Sequence, residues 1–277
     1  MFVSPMLLHS IKEPLLEDND YITELKLDGI RLIMSKFNNK TKLYTRHNNE
    51  VTSLFPELLQ FDIPDGTVLD GELIALDDSG KPDFELMMSR FKSKKLISQV
   101  NIQFAVFDII YYDNEKIAHL PLLDRKQYVQ KAISTDQQII IETQYIQGNS
   151  AAYFEAVKQQ DLEGIVVKSI NSKYQINKRS HDWLKLINYK YQNVYVAGLR
   201  KGEFGVALSD NEGKYLGVME FMPPQARKYL YKTFGDHVTN ETDKFIYLEP
   251  YLKCKVKYRN LTKNNLLRIS SFVEWVS

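Results

Sequence analysis

The chain has 277 residues, 44% hydrophobic and 26% charged, with 12 Gly and 9 Pro; it is long enough for two modest globular domains and excludes collagenous or low-complexity architectures. No run approaches the roughly 18 apolar residues of a membrane span, and Met1 to Leu8 lacks the basic lead and cleavage site of a secretory signal, so a cytosolic protein is expected. Net charge is only +1 but unevenly spread: Asn188 to Ser277 holds 14 Lys+Arg against 9 Asp+Glu, a balance of +5, and residues 1–187 carry −4.

Alternating apolar and polar residues over Tyr21 to Leu27, Arg31 to Phe37 and Thr41 to Thr45 predict an antiparallel meander, with Asn38-Asn39 as its second turn. Further strands are expected over Thr67 to Leu76, closed by the turn Asp77-Asp78-Ser79-Gly80, over Ile102 to Tyr112, and over Gly164 to Lys168. The period shifts toward 3.6 over Phe84 to Arg90, Leu123 to Ala132 and Ser150 to Gln159, which predicts helices, the last with Ser150 as its cap. Strands and helices mixed in this order indicate an α+β domain.

Beyond Tyr189 short β-rich runs take over: Val194 to Arg200, Gly205 to Ser209, Tyr215 to Glu220 and Tyr251 to Tyr258, interrupted by one helical stretch, Pro224 to Phe234. Several strands and one helix in about 90 residues outline a small β-barrel of the OB-fold kind. The domain boundary is expected close to Asn188. A basic smaller part suits a grip on a phosphate backbone, although surface charge also varies for no functional reason. The single Cys254 closes no intrachain disulfide and reads as a buried hydrophobe, and the five histidines show no ligand spacing.

The sharpest local feature is Glu24-Leu25-Lys26-Leu27-Asp28-Gly29-Ile30-Arg31. On a strand, Glu24 and Lys26 share one face and Leu25 and Leu27 the other, and Gly29 permits a tight turn that aims Asp28 and Arg31 back toward whatever Lys26 meets. An amine attacks only when neutral, and desolvation or a neighbouring cation favours the neutral form, so a strand-end lysine is a candidate nucleophile. Taken alone, Glu-x-Lys on a strand is more often ordinary surface. Two acids beside glycines, in Asp70-Gly71-Glu72 and Glu163-Gly164, allow close approach and offer hard oxygen ligands for a divalent metal, or are simply hairpin turns. Lys168, Lys173, Lys178, Arg179 and Lys185 bind phosphates or coat a loop. Neither Gly80-Lys81 nor Gly213-Lys214 sits in a P-loop.

The ordered set of these features resembles the covalent nucleotidyltransferases, the superfamily of ATP-dependent DNA ligases, RNA ligases and mRNA capping enzymes. Lys26-Leu27-Asp28-Gly29-Ile30-Arg31 resembles its motif I, whose lysine forms a phosphoramide with the nucleotide. Thr45-Arg46-His47-Asn48 followed by Leu54-Phe55-Pro56-Glu57-Leu58 resembles the next stretch in DNA ligases; Leu69-Asp70-Gly71-Glu72-Leu73 resembles motif III and Phe104-Ala105-Val106-Phe107-Asp108 motif IIIa. Leu120-Pro121-Leu122-Leu123-Asp124-Arg125-Lys126 is similar to the segment that follows, Glu163 to Lys168 resembles motif IV, and Arg179-Ser180-His181-Asp182-Trp183-Leu184-Lys185 resembles motif V. The likeness covers nearly the whole chain and is nearest to the short bacterial and phage DNA ligases and the ligase domain of bacterial ligase D.

That resemblance implies an α+β nucleotidyltransferase domain over 1–188, with ATP-grasp-like antiparallel sheets and helices, then an OB-fold domain over 189–277. It implies an ATP-dependent DNA ligase that seals nicks through a lysyl-AMP on Lys26. Phe107 would stack on adenine, Glu24 accept its exocyclic amine, Arg31 and Arg46 position ribose and DNA phosphate, Lys168 and Lys185 hold the AMP phosphate, and Glu72 and Glu163 hold Mg²⁺ or Mn²⁺. The implied partners are nicked duplex DNA and a DNA end-binding repair protein, with no membrane; the implied place is the cytoplasm, at a bacterial nucleoid or in a phage-infected cell. Motif I alone does not choose the nucleotide, so an RNA ligase or a GTP-using capping enzyme stays open, as does a nick-binding module that has lost catalysis.

Two departures from the family pattern stand out. The second lysine expected two positions after Lys185 is Ile187, with Lys190 the nearest substitute, and Leu267-Arg268 and Phe272 resemble the approach to motif VI without the Arg-x-Asp-Lys that orients pyrophosphate. Slow loading with AMP is expected. Single-turnover pyrophosphate release as fast as in a ligase carrying motif VI would contradict it.

Overall fold

The computed structural model describes residues 1–93, 100–133 and 138–276, and its chain divides into two units, Met1–Ile187 and Asn188–Ser277. The first unit runs β1 (Leu7–Ser10), β2 (Tyr21–Leu25), β3 (Ile30–Phe37), β4 (Lys40–Thr45), β5 (Thr67–Ala75), α1 (Phe84–Lys92), β6 (Ile102–Tyr112), β7 (Glu115–Lys116), α2 (Leu122–Ala132), β8 (Ile140–Glu142), β9 (Tyr145–Gln147), α3 (Ser150–Gln159), β10 (Gly164–Ser169) and β11 (Arg179–Ile187). The hairpin joining β3 to β4 turns on Asn38 and Asn39, both at positive φ, which suits the twist of the flanking strands and which asparagine tolerates.

These strands form two sheets, ordered β1-β11-β10-β2-β9 and β4-β3-β5-β6-β7, with β8 added beside β6. Both are mixed, not purely antiparallel as expected: β1 lies parallel to β11, and β8 lies parallel to β6. A parallel pair needs a crossover connection, and α2 supplies it between β6 and β8. Alternation then sorts the side chains. On the second sheet Leu32, Met34, Leu69, Leu73 and Phe104 face Met87 of α1 and Val129 of α2, whereas Ile33, Val68 and Ile110 face the other way, onto Met6, Tyr174 and Trp183. On the first sheet Ile165, Val167, Leu184 and Leu186 pack under Phe154 and Val157 of α3. The face of each sheet turned from its helices borders the same interior, and the functional side chains lie there.

Ser150 does not cap α3. Asn149 occupies the cap position in a left-handed conformation with no side-chain cap bond, and the carboxylate of Asp18 instead accepts the amides of Asn149 (3.1 Å) and Ser150 (2.6 Å). A remote acid thus satisfies helix-end donors that the local sequence leaves open. Burial raises the Asp18 pKa, but the bonds from Ser150 and Asn149 outweigh it and leave the carboxyl below its ordinary value.

The second unit runs β12 (Lys190–Arg200), β13 (Val206–Ser209), β14 (Tyr215–Met219), α4 (Pro224–Thr233), β15 (Val238–Glu241), β16 (Phe245–Leu248), β17 (Lys253–Tyr258) and β18 (Ser271–Val276). The long β12 is the spine: it pairs with β13 and, along successive stretches, with β17 and β16. Its core gathers Val194, Val196, Val206, Leu208, Met219, Leu230 and Val256. Cys254 is fully buried among them, and burial pushes its thiol up to about 12, so it behaves as a small hydrophobe.

Asp18→Ala removes the α3 cap and is expected to lower stability by about 1 kcal/mol. The depressed carboxyl pKa means the contribution is present at neutral pH and is lost as pH falls through the folded value. Urea midpoints at pH 7 measure it; equal midpoints for parent and variant would contradict it.

Candidate active site

Register builds one wall. Across β2, β10 and β11, Glu24 lies opposite Val166 and Val166 opposite Lys185, while Ile22 lies opposite Lys168 and Lys168 opposite Trp183. Cross-strand partners share a face, so Glu24, Lys168, Trp183 and Lys185 all stand on the side turned from α3. Lys26 extends that alternation two residues past Glu24, and its amide donates to the Gly164 carbonyl at 2.9 Å. Glycine is required at 164: φ is +153° and a Cβ would stand 2.2 Å from the Leu186 carbonyl oxygen. A Cβ on Gly29 would lie 2.2 Å from the Leu73 carbonyl oxygen, so this glycine lets the turn after Lys26 press onto β5.

The second sheet supplies the facing wall. Arg31 on β3 lies opposite Glu72 on β5, and Ile33 opposite Asp70, which puts Arg31, Asp70 and Glu72 on one face. The β5–β6 register slips where Gly71 pairs with Val106 and Asp70 with Asp108, leaving Phe107 as the extra residue of a bulge. A bulge re-aims the side chain it frees. The Phe107 ring meets Trp183 edge-on at 6.2 Å between centroids, with the Lys168 ammonium 4.4 Å from its centre and the Arg31 guanidinium 5.2 Å away.

Charges inside this space are paired closely. Lys26 Nζ donates to Glu163 Oε2 at 2.9 Å. Glu24 lies between two ammoniums, Lys126 at 2.5 Å on Oε1 and Lys168 at 2.6 Å on Oε2. Lys168 Nζ also sits 4.2 Å from the Trp183 ring centre. Burial lowers its pKa to about 8, with Lys126 adding to the depression and Glu24 opposing it. Burial likewise raises Glu72 to about 7; Lys26 and Arg31 pull it down, and Glu163 and Asp70 push it up. Burial alone would lower the Arg31 guanidinium, but two bonds to Asp70, at 2.9 and 2.6 Å, hold it above its usual range. Tyr174 completes that cluster by donating to Asp70 at 2.6 Å. Behind Phe107, Arg125 grips Asp108 with two 2.8 Å bonds, both residues fully buried.

The structure therefore brings Lys26 to Glu163, and Glu24 to Lys168 and Phe107, with Arg31 and Glu72 on the facing sheet. It leaves Arg46 exposed in the turn after β4 and puts Lys185 on β11 between Val166 and Ser10. Lys126, Asp70, Asp108, Tyr174 and Trp183 had no role in the reading from sequence. Lys126, Asp70, Asp108 and Trp183 do lie within motif-like segments, which was the available signal; Tyr174 lies in none of them. Among the described residues no group of three or more His, Cys, Asp or Glu gathers to hold a metal, and no helix is long and apolar enough to cross a membrane.

The chain belongs to the ATP-dependent DNA ligase domain family, whose model matches residues 5–186 and so spans both walls of this charged, aromatic-lined space. It is 54% identical over 275 residues to the SPbeta prophage-derived DNA ligase-like protein LigB of Bacillus subtilis, covering 99% of both chains. It is 32% identical over 185 residues to the multifunctional non-homologous end joining protein LigD of Mycolicibacterium smegmatis, spanning 66% of this chain but 23% of that protein. The ligase domain of Mycobacterium tuberculosis LigD shares the fold, with a TM-score of 0.62 at 23% identity over 99% of this chain and 95% of that one.

The burial of Lys168 has a direct spectroscopic consequence. With ¹³Cε-labelled lysine, one signal is expected to titrate near pH 8 instead of 10.5 and to vanish in Lys168→Arg. Because the folded state then binds fewer protons than the unfolded chain between these values, stability rises with pH across that window. A spectrum in which every lysine titrates near 10.5 would contradict the burial.

Proposed function

We infer that Lys26 carries AMP in the ATP-dependent sealing of nicked duplex DNA. The observation that carries this assignment is exposure: Lys26 keeps 19% of its side chain accessible, whereas Lys126 and Lys168 keep 1% and 2% and are committed to Glu24. Of these three amines, Lys26 is the one a substrate phosphate reaches, and it stands at the family's motif I position.

Lys26 Nζ attacks the α-phosphorus of ATP in line; the N–P bond forms as the bond to pyrophosphate breaks. Glu163 Oε2 orients the amine and is the base in contact with its proton. AMP then passes to the 5′-phosphate of the nick, and the 3′-hydroxyl displaces it, closing the phosphodiester bond. Phe107, re-aimed by its bulge, stacks on adenine, and Glu24, flanked by the ammoniums of Lys126 and Lys168, accepts the exocyclic amine. Lys168 stands with these base-end residues, so the phosphate contact falls chiefly to Lys185. Arg31 braces the pocket through Asp70, and exposed Arg46 contacts DNA phosphate.

Glu72 and Glu163 suit Mg²⁺ or Mn²⁺: they are hard oxygen donors beside Lys26, and burial together with the Glu163 charge raises the Glu72 carboxyl to about 7, a cost that a bound cation would relieve. When bound, the ion spreads charge developing on the phosphates. Three strands, one helix and four further strands in the second unit, with β12 pairing along its length to three partners, support an OB-fold. The division of labour is thus adenylation over 1–188 and backbone grip over 189–277. Likeness to a protein named for end joining supports a DNA end-binding repair partner, and the place of action we propose is the cytoplasm.

Incubation with labelled ATP is expected to give a covalent AMP band, absent with GTP and absent in Lys26→Ala, and the parent is expected to seal nicked DNA faster than nicked RNA. A full-strength band from a folded Lys26→Ala protein would overturn the assignment.

A further inference from the structure

Tyr174 lies in the connection between β10 and β11, buried, and several groups fix it. Its amide donates to the Ala118 carbonyl at 2.8 Å, its ring meets Trp183 edge-on at 5.6 Å between centroids, and the Arg125 guanidinium stands 5.9 Å from the ring centre. The hydroxyl oxygen accepts the Met6 amide at 3.1 Å, which leaves the hydroxyl proton for Asp70 Oδ2, 2.6 Å away. Burial and the Asp70 charge raise this hydroxyl well above its ordinary pKa, against the opposing charge of Arg31, so it remains a donor at neutral pH.

Asp70 passes this placement on to Arg31. Its fully buried carboxylate takes Arg31 Nε on Oδ1 and Arg31 Nη2 on Oδ2, the oxygen that Tyr174 also meets. A forked pair fixes the plane of the guanidinium as well as its place, and a third donor on the same carboxylate fixes the carboxylate. Nη1 takes no part in these bonds, and the Arg31 side chain keeps 11% of its surface accessible whereas Asp70 keeps none. A ligand therefore reaches Arg31 and not the residues that aim it. Arg31 lies 5.2 Å from the Phe107 ring centre and opposite Glu72 in register, and Glu72 feels the charge of Lys26. The guanidinium thus stands between the ring assigned to the base and the amine assigned to the α-phosphate, where the sugar joins the two.

We propose that Tyr174 is a positioning residue that aims Arg31, through Asp70, at a ribose hydroxyl, and so makes the site select a ribonucleotide over its deoxy forms. Tyr174 itself touches no substrate. A fixed N–H donor rejects an analogue without the hydroxyl because the donor is left unpaired, whereas a loosely held one turns to other partners. The inference rests on the placement of the nucleotide given above.

The test is calorimetric binding of α,β-methylene-ATP and its 2′-deoxy and 3′-deoxy forms, none of which releases pyrophosphate. A hydrogen bond to a charged group carries about 10- to 100-fold in affinity, so the parent is expected to bind one deoxy form at least about tenfold more weakly. Tyr174→Phe keeps the ring and its packing on Trp183, so the variant is expected to stay folded. It is expected to weaken the full nucleotide about fivefold and to leave that deoxy form unchanged, which shrinks the preference. Asp70→Asn is expected to lose the preference by itself, and Tyr174→Phe to change nothing further in that background, because the tyrosine acts through Asp70. A parent with no preference would overturn the proposal. So would a folded Tyr174→Phe protein that keeps the parent's preference, equal weakening of all three nucleotides, or losses that add in the double variant. AMP attachment to the parent is read separately: its absence would strike the transfer role of Lys26 and leave the binding preference to decide the role of Tyr174.

Discussion

The antiparallel register of β2 on β10 is the constraint on which the site depends. It sets Glu24 opposite Val166, carries the chain so that the Lys26 amide bonds to the Gly164 carbonyl, and thereby brings the Lys26 ammonium to Glu163. A slip of one residue would turn Glu24 and Lys168 into the apolar cluster beneath α3 and put leucine and valine in their place. Buried hydrophobic side chains on the α3 face make such a slip costly, so apolar packing on one side of the sheet fixes the chemistry on the other. Gly164 is the local price of this arrangement, because its backbone conformation and its 2.2 Å clearance to Leu186 admit no side chain.

Charge balance explains the next level. One carboxylate, Glu24, serves two buried ammoniums, and the aromatic faces of Phe107 and Trp183 supply part of the remaining compensation for Lys168. Desolvating a cation is expensive, and a quadrupole facing it recovers only part of that cost, which is why the Lys168 pKa falls to about 8. The facing sheet spends its charges differently. Arg31, Asp70 and Tyr174 form a closed cluster, leaving Glu72 to carry an ionisation that burial and neighbouring acids disfavour. One wall therefore holds excess positive charge near the ring and the other a carboxyl whose ionisation burial disfavours.

Much of this was legible beforehand, and for identifiable reasons. Alternation over β3, β5 and β6, the Asn38-Asn39 turn and the helical period of α2 are local signals, and local signals survive without knowledge of the fold. The Glu-x-Lys face and the Glu163-Gly164 step were legible because strand geometry and glycine chemistry act within a few residues. Other features depend on distant partners. Arg179–Ile187 mixes charged and apolar residues because one end lies at the surface and the other in the core, so period alone does not announce β11. Asp18 caps a helix 132 residues away from it. The bulge that aims Phe107 exists only in the pairing of β5 with β6, and Lys126 acquires its meaning when α2 folds over Glu24. The short strands β15, β16 and β18 are held by pairing more than by propensity.

The most direct measurement is peptide mapping by mass spectrometry after incubation of the intact chain with ATP and Mg²⁺. The account predicts that the mass of one AMP appears on the peptide containing Lys26 and is removed by added pyrophosphate. AMP on a peptide containing Lys168 or Lys185, or a chain that stays unmodified with folded structure intact, would contradict it.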